Sequence, residues 1–276
     1  MMKKIAKNKL LFIGSIIFVS LVVLVMVGPL LVSWNPNSVD ASNRLMWPSG
    51  AHLLGTDEYG RDLLARVLQG GRISLLLGTV VMIVAVTLGT VIGLYSAYYE
   101  RVGNVLMRVI DGIMAIPGLL LAIALMSAFG GSIYNLMIIL SIVYIPSTAR
   151  LVRSSALDVI NEPFVGAIQL IGASDTRVIW KHLFPNIIPS LAVQATFVYA
   201  GAILGESTLS FLGAGIPAPA ASWGNIIQGG RTVIFSQYYI VLFPSIAVLL
   251  AVISLHLLGE GLRDALDPKQ LESEEA

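Results

Sequence analysis

Residues 10–32 read LLFIGSIIFVSLVVLVMVGPLLV, a run without a single charged side chain. An α-helix rises 1.5 Å per residue and the hydrocarbon core of a bilayer is about 30 Å thick, so roughly 20 apolar residues cross it. Four lysines precede the run, as in a signal sequence, but the run is longer than a signal-peptide core and no small-residue cleavage site precedes Trp34. We therefore predict a retained first transmembrane helix.

The rest of the chain has the same apolar character. Of its 276 residues, 56% are hydrophobic and 12% are charged, and the mean hydropathy is +0.84. A chain of this composition cannot bury its apolar groups in one soluble core, so its natural solvent is a bilayer. The 17 basic and 16 acidic residues nearly cancel and predict no nucleic-acid partner. The absence of cysteine excludes disulfides, thiolate metal sites and cysteine nucleophiles.

Four more uncharged intervals provide the remaining helices. They are residues 73–99, 112–149, 182–205 and 232–259. The second interval is long enough for two spans, and a turn at residues 130–132, Gly-Gly-Ser, divides it. We thus predict an all-α polytopic membrane protein with six transmembrane helices, one N-terminal helix followed by a five-helix core.

The positions of Lys and Arg predict the orientation, because short cytoplasmic loops carry the excess of positive charge. With the N-terminus inside, cytoplasmic segments hold twelve of the 17 basic residues. The outer segments hold Arg44, Arg61, Arg66, Arg72 and Arg231. Both termini are therefore predicted to be cytoplasmic. The predicted segments are the cytoplasmic N-terminus with the first helix at 1–33, an extracytoplasmic segment at 34–72, the core at 73–259 with a cytoplasmic loop at 150–188, and a cytoplasmic tail at 260–276.

The cytoplasmic loop contains a helix, a sharp turn and a second helix. Residues 161–189 read NEPFVGAIQLIGASDTRVIWKHLFPNIIP. Asn161 or Glu162 can cap a first helix that has Pro163 in its first turn, and Gly172 can end that helix in a left-handed conformation. Ser174 then caps a second helix, which we expect to end near Phe184, with Pro185 and Pro189 leading into the fifth span. The first helix is short and unusually apolar for a solvated one, so it packs on its own bundle or plugs into another protein.

This loop carries a family resemblance. The spacing of Ala167, Gly172, Asp175, Ile187 and Pro189 resembles the "EAA" loop of permeases in ATP-binding-cassette importers, whose short helix docks into a groove of the ATPase subunit. This chain departs from the pattern where the family glutamate would fall at Gly166. The resemblance implies that the contact to the ATPase is made by Pro163, Phe164, Ala167, Ile168, Gly172, Ala173 and Asp175.

The outer segment carries a second resemblance. Residues 53–75, LLGTDEYGRDLLARVLQGGRISL, look like the signature before the second span of dipeptide, oligopeptide and nickel permeases. The residues alone predict an interfacial amphipathic helix capped by Thr56 or Asp57. Such a segment serves either as a headgroup anchor or as a lip that seats a solute-binding protein or shapes the outer gate. The signature residues are Gly55, Thr56, Asp57, Gly60, Arg61 and Asp62.

Glu206 is the one acid within the apolar fifth segment. Charged groups inside a membrane are costly and usually face a cavity or a partner. Glu206 therefore either lines the path of a cationic or peptide substrate or has a structural role near Ser207 and Ser210, with Arg231 as a candidate ion-pair partner. His256 is a solitary histidine of the sixth span, and we predict no metal site.

No Gly-Lys dipeptide occurs, so the chain has no phosphate-binding loop and is not expected to be an enzyme. The resemblance implies a permease subunit of the cytoplasmic (inner) membrane that forms, with a homologous permease, a pathway for dipeptides or oligopeptides. One or two ATPase subunits would bind ATP and Mg²⁺, and an extracytoplasmic solute-binding protein would deliver the substrate; this chain would bind no cofactor. Nickel or another metal chelate is the alternative substrate. An ion-coupled secondary transporter is the alternative outside this class.

Overall fold

A computed structural model describes residues 8–32 and 35–266. The lysines before residue 8, Trp34 and residues 267–276 of the predicted tail lie outside the described residues. The helices are α1 Lys9–Leu31, α2 Leu63–Tyr98, α3 Glu100–Met114, α4 Gly118–Phe129, α5 Ile133–Ile160, α6 Pro163–Leu170, α7 Asp175–Phe211, α8 Trp223–Gly230 and α9 Tyr239–Leu266. The predicted all-α class is confirmed for this part of the chain.

Within the described residues, five helices are long and apolar enough to cross a membrane, namely α1, α2, α5, α7 and α9. The predicted span over residues 112–129 is not one continuous helix, because α3 and α4 meet there at an angle of 83°. Pro117 lies at the bend. Proline lacks a backbone N–H and disfavours helical backbone at the preceding residue, so it separates the two helices. The predicted turn at residues 130–132 is present, with Gly130 at a φ of +85° and Ser132 capping α5.

The start of α2 also differs from the prediction. The helix begins at Leu63, well before the uncharged interval, and neither Thr56 nor Asp57 caps it. Its cap is Asp62, whose Oδ1 accepts a hydrogen bond of 2.8 Å from the backbone N–H of Ala65. Hydropathy alone placed the start too late, because charged side chains such as Arg66 fit into a helix when a partner neutralises them.

The first helix, α1, has the predicted extent and lies against α9. Pro29 within α1 cannot donate to the carbonyl of Val25, four residues earlier. Arg72 of α2 fills this gap, because its Nε donates to the Val25 carbonyl over 3.1 Å. Arg72, which the sequence analysis assigned to the outer segment, therefore links α2 to α1 by a hydrogen bond.

The helix α2 packs closely against α5 through two glycines. A Cβ atom added at Gly89 would lie 2.7 Å from Cβ of Thr148, and one added at Gly93 would lie 2.6 Å from Cβ of Val152. Only glycine permits this approach, as in other small-residue contacts between membrane helices. The pair α2 and α5 thus forms the centre of the bundle.

The loops meet at two ends of the bundle. At one end, the turn at Gly131 approaches the backbone of Gly215, and Leu63, Ile226 and Tyr239 share a cluster with the outer segment. At the other end, the side chain of Asn8 donates to the carbonyl of Gly261. The short helix α6 lies at this second end, against the last turns of α2 and the first turns of α7.

Candidate functional site

The first candidate site is the turn after α6. Gly172 has a φ of +83°, the left-handed conformation that the sequence predicts. The N–H of Ala173 donates to the carbonyl of Ile168 over 3.3 Å, and the N–H of Gly172 donates to the carbonyl of Gln169 over 3.0 Å. These two bonds form a Schellman motif, which satisfies carbonyls that the end of α6 leaves open. The turn therefore has one defined geometry that depends on Gly172.

The segment after the turn differs from the prediction. The second helix does not end near Phe184, because it continues as α7 from Asp175 to Phe211, 37 residues in all. Residues Val178–Leu183 are π-helical, and the regular α-helix resumes at Phe184, directly before Pro185. The turn after α6 is therefore attached directly to a helix that runs through the bundle.

The helix α6 has one anchored and one free face. Val165 is 1% exposed and packs in a cluster with Val178, Ile179 and Leu183 of α7. On the other side, Leu170 is 90% exposed and Ile171 is 84% exposed. Adjacent apolar side chains with this exposure form a candidate contact surface. We call Phe164, Leu170 and Ile171 the α6 apolar face.

Asp175 joins this region to the C-terminal end of α2. Its Oδ1 accepts a hydrogen bond of 2.8 Å from the Tyr98 hydroxyl, and its Oδ2 accepts one of 3.0 Å from the Tyr99 hydroxyl. The hydrogen bond to Asp175, followed by burial, raises the pKa of Tyr99. Sequence reasoning missed both tyrosines. Their place at the end of an apolar span is the signal of an interfacial aromatic, but it does not name the partner.

The second candidate site is the outer signature, whose residues 55–62 form a compact turn, so that the predicted helix begins only at Leu63. Asp57 is its centre: Oδ1 accepts from the backbone N–H groups of Tyr59 and Arg61, and Oδ2 lies 2.7 Å from Nε of Arg61. The same Oδ2 lies 3.3 Å from Nε of Arg66, which is buried and does not face a lipid surface. Gly60 has a φ of +72°, and a Cβ there would overlap the carbonyl oxygen of Asp40. The turn requires glycine at this position.

The other signature residues fasten this turn to the bundle. Gly55 has a φ of +81° and precedes Thr56. The Thr56 hydroxyl accepts a hydrogen bond from the backbone N–H of Met46 and donates one to the carbonyl of Asn43. Asp62 caps α2 and also lies 2.8 Å from Nδ1 of His52. The Tyr239 hydroxyl of α9 donates to the carbonyls of Met46 and Thr56. The structure thus brings all six signature residues together, from Gly55 to Asp62, at the N-terminal ends of α2 and α9.

The third candidate is Glu206 in α7, whose side chain is fully buried. Its Oε2 accepts a hydrogen bond of 2.9 Å from Ser74 of α2, and its Oε1 accepts one of 2.7 Å from Ser210. Ser74 in turn accepts a bond of 3.2 Å from the backbone N–H of Trp223, at the start of α8. Within the described residues no ion pair is formed with Arg231, which is exposed.

No metal site appears within residues 8–32 and 35–266, where no three His, Asp or Glu side chains are grouped so that they could hold an ion. His256, the lone histidine of the last span, lies against the ring of Phe197, with ring centroids 5.2 Å apart. These two rings form an ordinary contact between α9 and α7.

Two known family models match this chain. Residues 85–272 match the model of the binding-protein-dependent transport system inner membrane component. The chain belongs to this family. Residues 1–48 also match the N-terminal transmembrane domain of oligopeptide transport permease C. The predicted family of binding-protein-dependent permeases is therefore confirmed.

Curated relatives cover almost the whole chain. It is 42% identical, over 97% of its length and 90% of the relative, to a Brucella abortus biovar 1 protein whose name is that of a peptide transport system permease. It is 39% identical, over 97% of its length and 88% of the relative, to the dipeptide transport system permease of Alkalihalophilus pseudofirmus. A D,D-dipeptide permease named as probable in Escherichia coli K12 is 40% identical over 95% of the chain and 89% of the relative.

A solved structure supports the fold. A chain of the MetNI methionine ABC transporter, in an inward-facing conformation, superposes with a TM-score of 0.58 at 15% sequence identity. The superposition covers 71% of this chain and 96% of the other. At this identity the likeness concerns the fold alone, which is that of an ABC importer permease.

Proposed function

We propose that this chain is a membrane subunit of an ATP-driven importer and that its cargo is a dipeptide or oligopeptide. It forms the pathway with a homologous second permease, receives substrate from an extracytoplasmic solute-binding protein, and is driven by one or two ATPase subunits that bind ATP and Mg²⁺. The peptide class rests on the relatives, which are named for peptides and dipeptides. The chain itself catalyses no reaction.

The α6 apolar face is the observation that carries this proposal. A short helix has little stability of its own, and α6 is held to the bundle through Val165 while Leu170 and Ile171 face solvent. Burying two leucine-sized side chains in a partner's groove contributes about 3 kcal/mol or more. Such a face, on an element that leads directly into α7, fits a docking contact with an ATPase subunit.

The docking contact is tested by substituting Leu170→Asp together with Ile171→Asp. We expect co-purification of the ATPase subunits from native membranes in mild detergent to fall about tenfold or more, because two charges would replace the buried apolar contact. The matched control is Phe235→Asp, an equally exposed apolar residue at the outer end of the bundle, which should leave co-purification unchanged. Unaltered recovery of the ATPases by the double variant would refute α6 as the docking helix.

We further propose six crossings in the cytoplasmic (inner) membrane with both termini inside, where α3 and α4 together make the third crossing. The pair starts beside Tyr99 at the inner end and finishes beside Gly215 at the outer end, which supports this count.

Single cysteines at Gly50, Gly130 and Gln237 should react with an impermeant maleimide in intact cells, and one at Leu170 should react only after permeabilisation. The cysteine-free chain makes each label unambiguous. Labelling at Leu170 from outside would contradict the orientation.

The substrate class is tested by uptake into cells that lack the native chain and express this one. We expect accumulation of a radiolabelled dipeptide that depends on ATP and is competed by unlabelled dipeptides but not by a nickel chelate. Accumulation of the nickel chelate alone would replace the peptide proposal with the metal one. Uptake that follows an ion gradient and persists without ATP would indicate a secondary transporter.

A further inference from the structure

The joint between α2 and α3 consists of a single residue. Tyr99 has extended backbone angles, φ −104° and ψ 96°, between the last residue of α2 and the first of α3. The two helices are tightly apposed just beyond it, because a Cβ at Gly103 would overlap the carbonyl oxygen of Ser96. A small rotation at Tyr99 therefore redirects the whole of α3. The broken span that follows takes its direction from this joint.

The hydrogen bonds of Asp175 hold this joint to the turn after α6, which we call the coupling turn. Asp175 is the first residue of α7 and lies three residues after Gly172. Each of its two carboxylate oxygens binds a hydroxyl, one from Tyr98 on α2 and one from Tyr99 at the joint. Two bonds to one carboxylate fix its direction as well as its distance, and bonds to a charged acceptor are the stronger kind.

The rings around the joint are packed as well as bonded. The rings of Tyr98 and Tyr99 meet edge to face with centroids 5.1 Å apart, and the rings of Tyr95 and Tyr99 stack at 6.1 Å. The contact of α7 with α2 is already provided by Leu94, Val178 and other apolar residues of the inner cluster. The hydroxyls are therefore not needed to bury α7, and what they add is orientation.

We propose that Tyr98, Tyr99 and Asp175 form a clamp that stays closed during transport and carries the displacement of the coupling turn to α3. The two tyrosines are then positioning residues of the transport cycle. This inference rests on the proposed function, since it takes the turn after α6 to be the part that the ATPase moves. When the turn is displaced, α7 moves with it, and the clamp moves the α2–α3 joint by the same amount. The third, broken crossing is thereby linked to the fifth.

The clamp is tested in proteoliposomes that contain the complete transporter, by measuring substrate uptake and ATP hydrolysis together. We expect the double variant Tyr98→Phe with Tyr99→Phe to assemble normally and to lower uptake per ATP hydrolysed about tenfold, with each single variant in between. Phenylalanine keeps the ring contacts, so a role in packing alone would leave this ratio unchanged. Tyr134→Phe, an exposed tyrosine on α5, is the control and should not alter it.

A cysteine pair that can be cross-linked tests whether the clamp stays closed during transport or has to open. In the variant Tyr99→Cys with Asp175→Cys, uptake per ATP should be low, and a short flexible bis-maleimide that joins the two cysteines should restore it. Inhibition by the cross-link would overturn the proposal, as would normal coupling, or failure to assemble, in the double phenylalanine variant. Failure of the proposed function itself has a different result, because the unmodified chain would then show no ATP-driven uptake.

Discussion

Replacing Gly172 by valine should uncouple ATP hydrolysis from uptake. At a φ of +83° a β-branched side chain is strained, at a cost of about 1–2 kcal/mol. The residue can avoid this strain only by leaving the left-handed region, which breaks the two hydrogen bonds that end α6. The turn would then lose its single geometry, and the α6 apolar face would change direction relative to α7. We expect uptake per ATP hydrolysed to fall about tenfold or more, since 1.4 kcal/mol corresponds to a tenfold change in population.

Gly166 offers a matched control on the same short helix. A Cβ added there has no neighbour within 4 Å, and its φ is not in the left-handed region. Gly166→Ala should therefore keep coupling intact and stabilise α6 by about 1 kcal/mol. Both variants are measured in the assembled transporter, with ATPase co-purification as the check on docking. Coupled uptake in Gly172→Val at the rate of the unmodified chain would show that the turn does not transmit force.

The turn at Gly172 is an example of a feature that can be predicted from the sequence alone. Gly172 could be assigned because a helix start, a helix length and a glycine stop agree within one short stretch. The same local logic predicted the Gly130 turn and the first helix correctly. In each case the decisive contacts are between residues that are close in sequence, so a single chain contains the whole signal.

The errors have the opposite character. The late start assigned to α2 arose because Arg66 and Arg72 look like the end of a membrane helix, and only their distant partners, Asp57 and the Val25 carbonyl, make them compatible with one. The break at Pro117 was missed because hydropathy counts apolar residues and takes no account of the direction of the helix axis. The Tyr98 and Tyr99 contacts to Asp175 join residues that are far apart in the sequence, so no local pattern indicates them.

Glu206→Ala should be the most destabilising of the substitutions considered. The change removes both carboxylate oxygens, leaves the hydroxyls of Ser74 and Ser210 without their acceptor, and opens a cavity where α2, α7 and α8 meet. Loss of a buried hydrogen-bond network of this kind costs about 3 kcal/mol or more. We expect a lower temperature of unfolding in detergent, reduced assembly with the second permease, and loss of uptake that follows the loss of folded protein.

Glu206→Gln decides between a structural role and a role in the pathway. Glutamine keeps one acceptor oxygen, and a serine hydroxyl can accept from its amide as readily as it donates, so the network can be rebuilt at a cost of about 1 kcal/mol. Thr208→Ala is the control on the same helix, since its hydroxyl donates only to the Leu204 carbonyl within α7. If Glu206 stabilises the contact between α2, α7 and α8, the glutamine variant will transport neutral and cationic dipeptides alike. If it folds normally and loses cationic dipeptides alone, the carboxylate faces the pathway in another state of the cycle, and the buried network is its resting position.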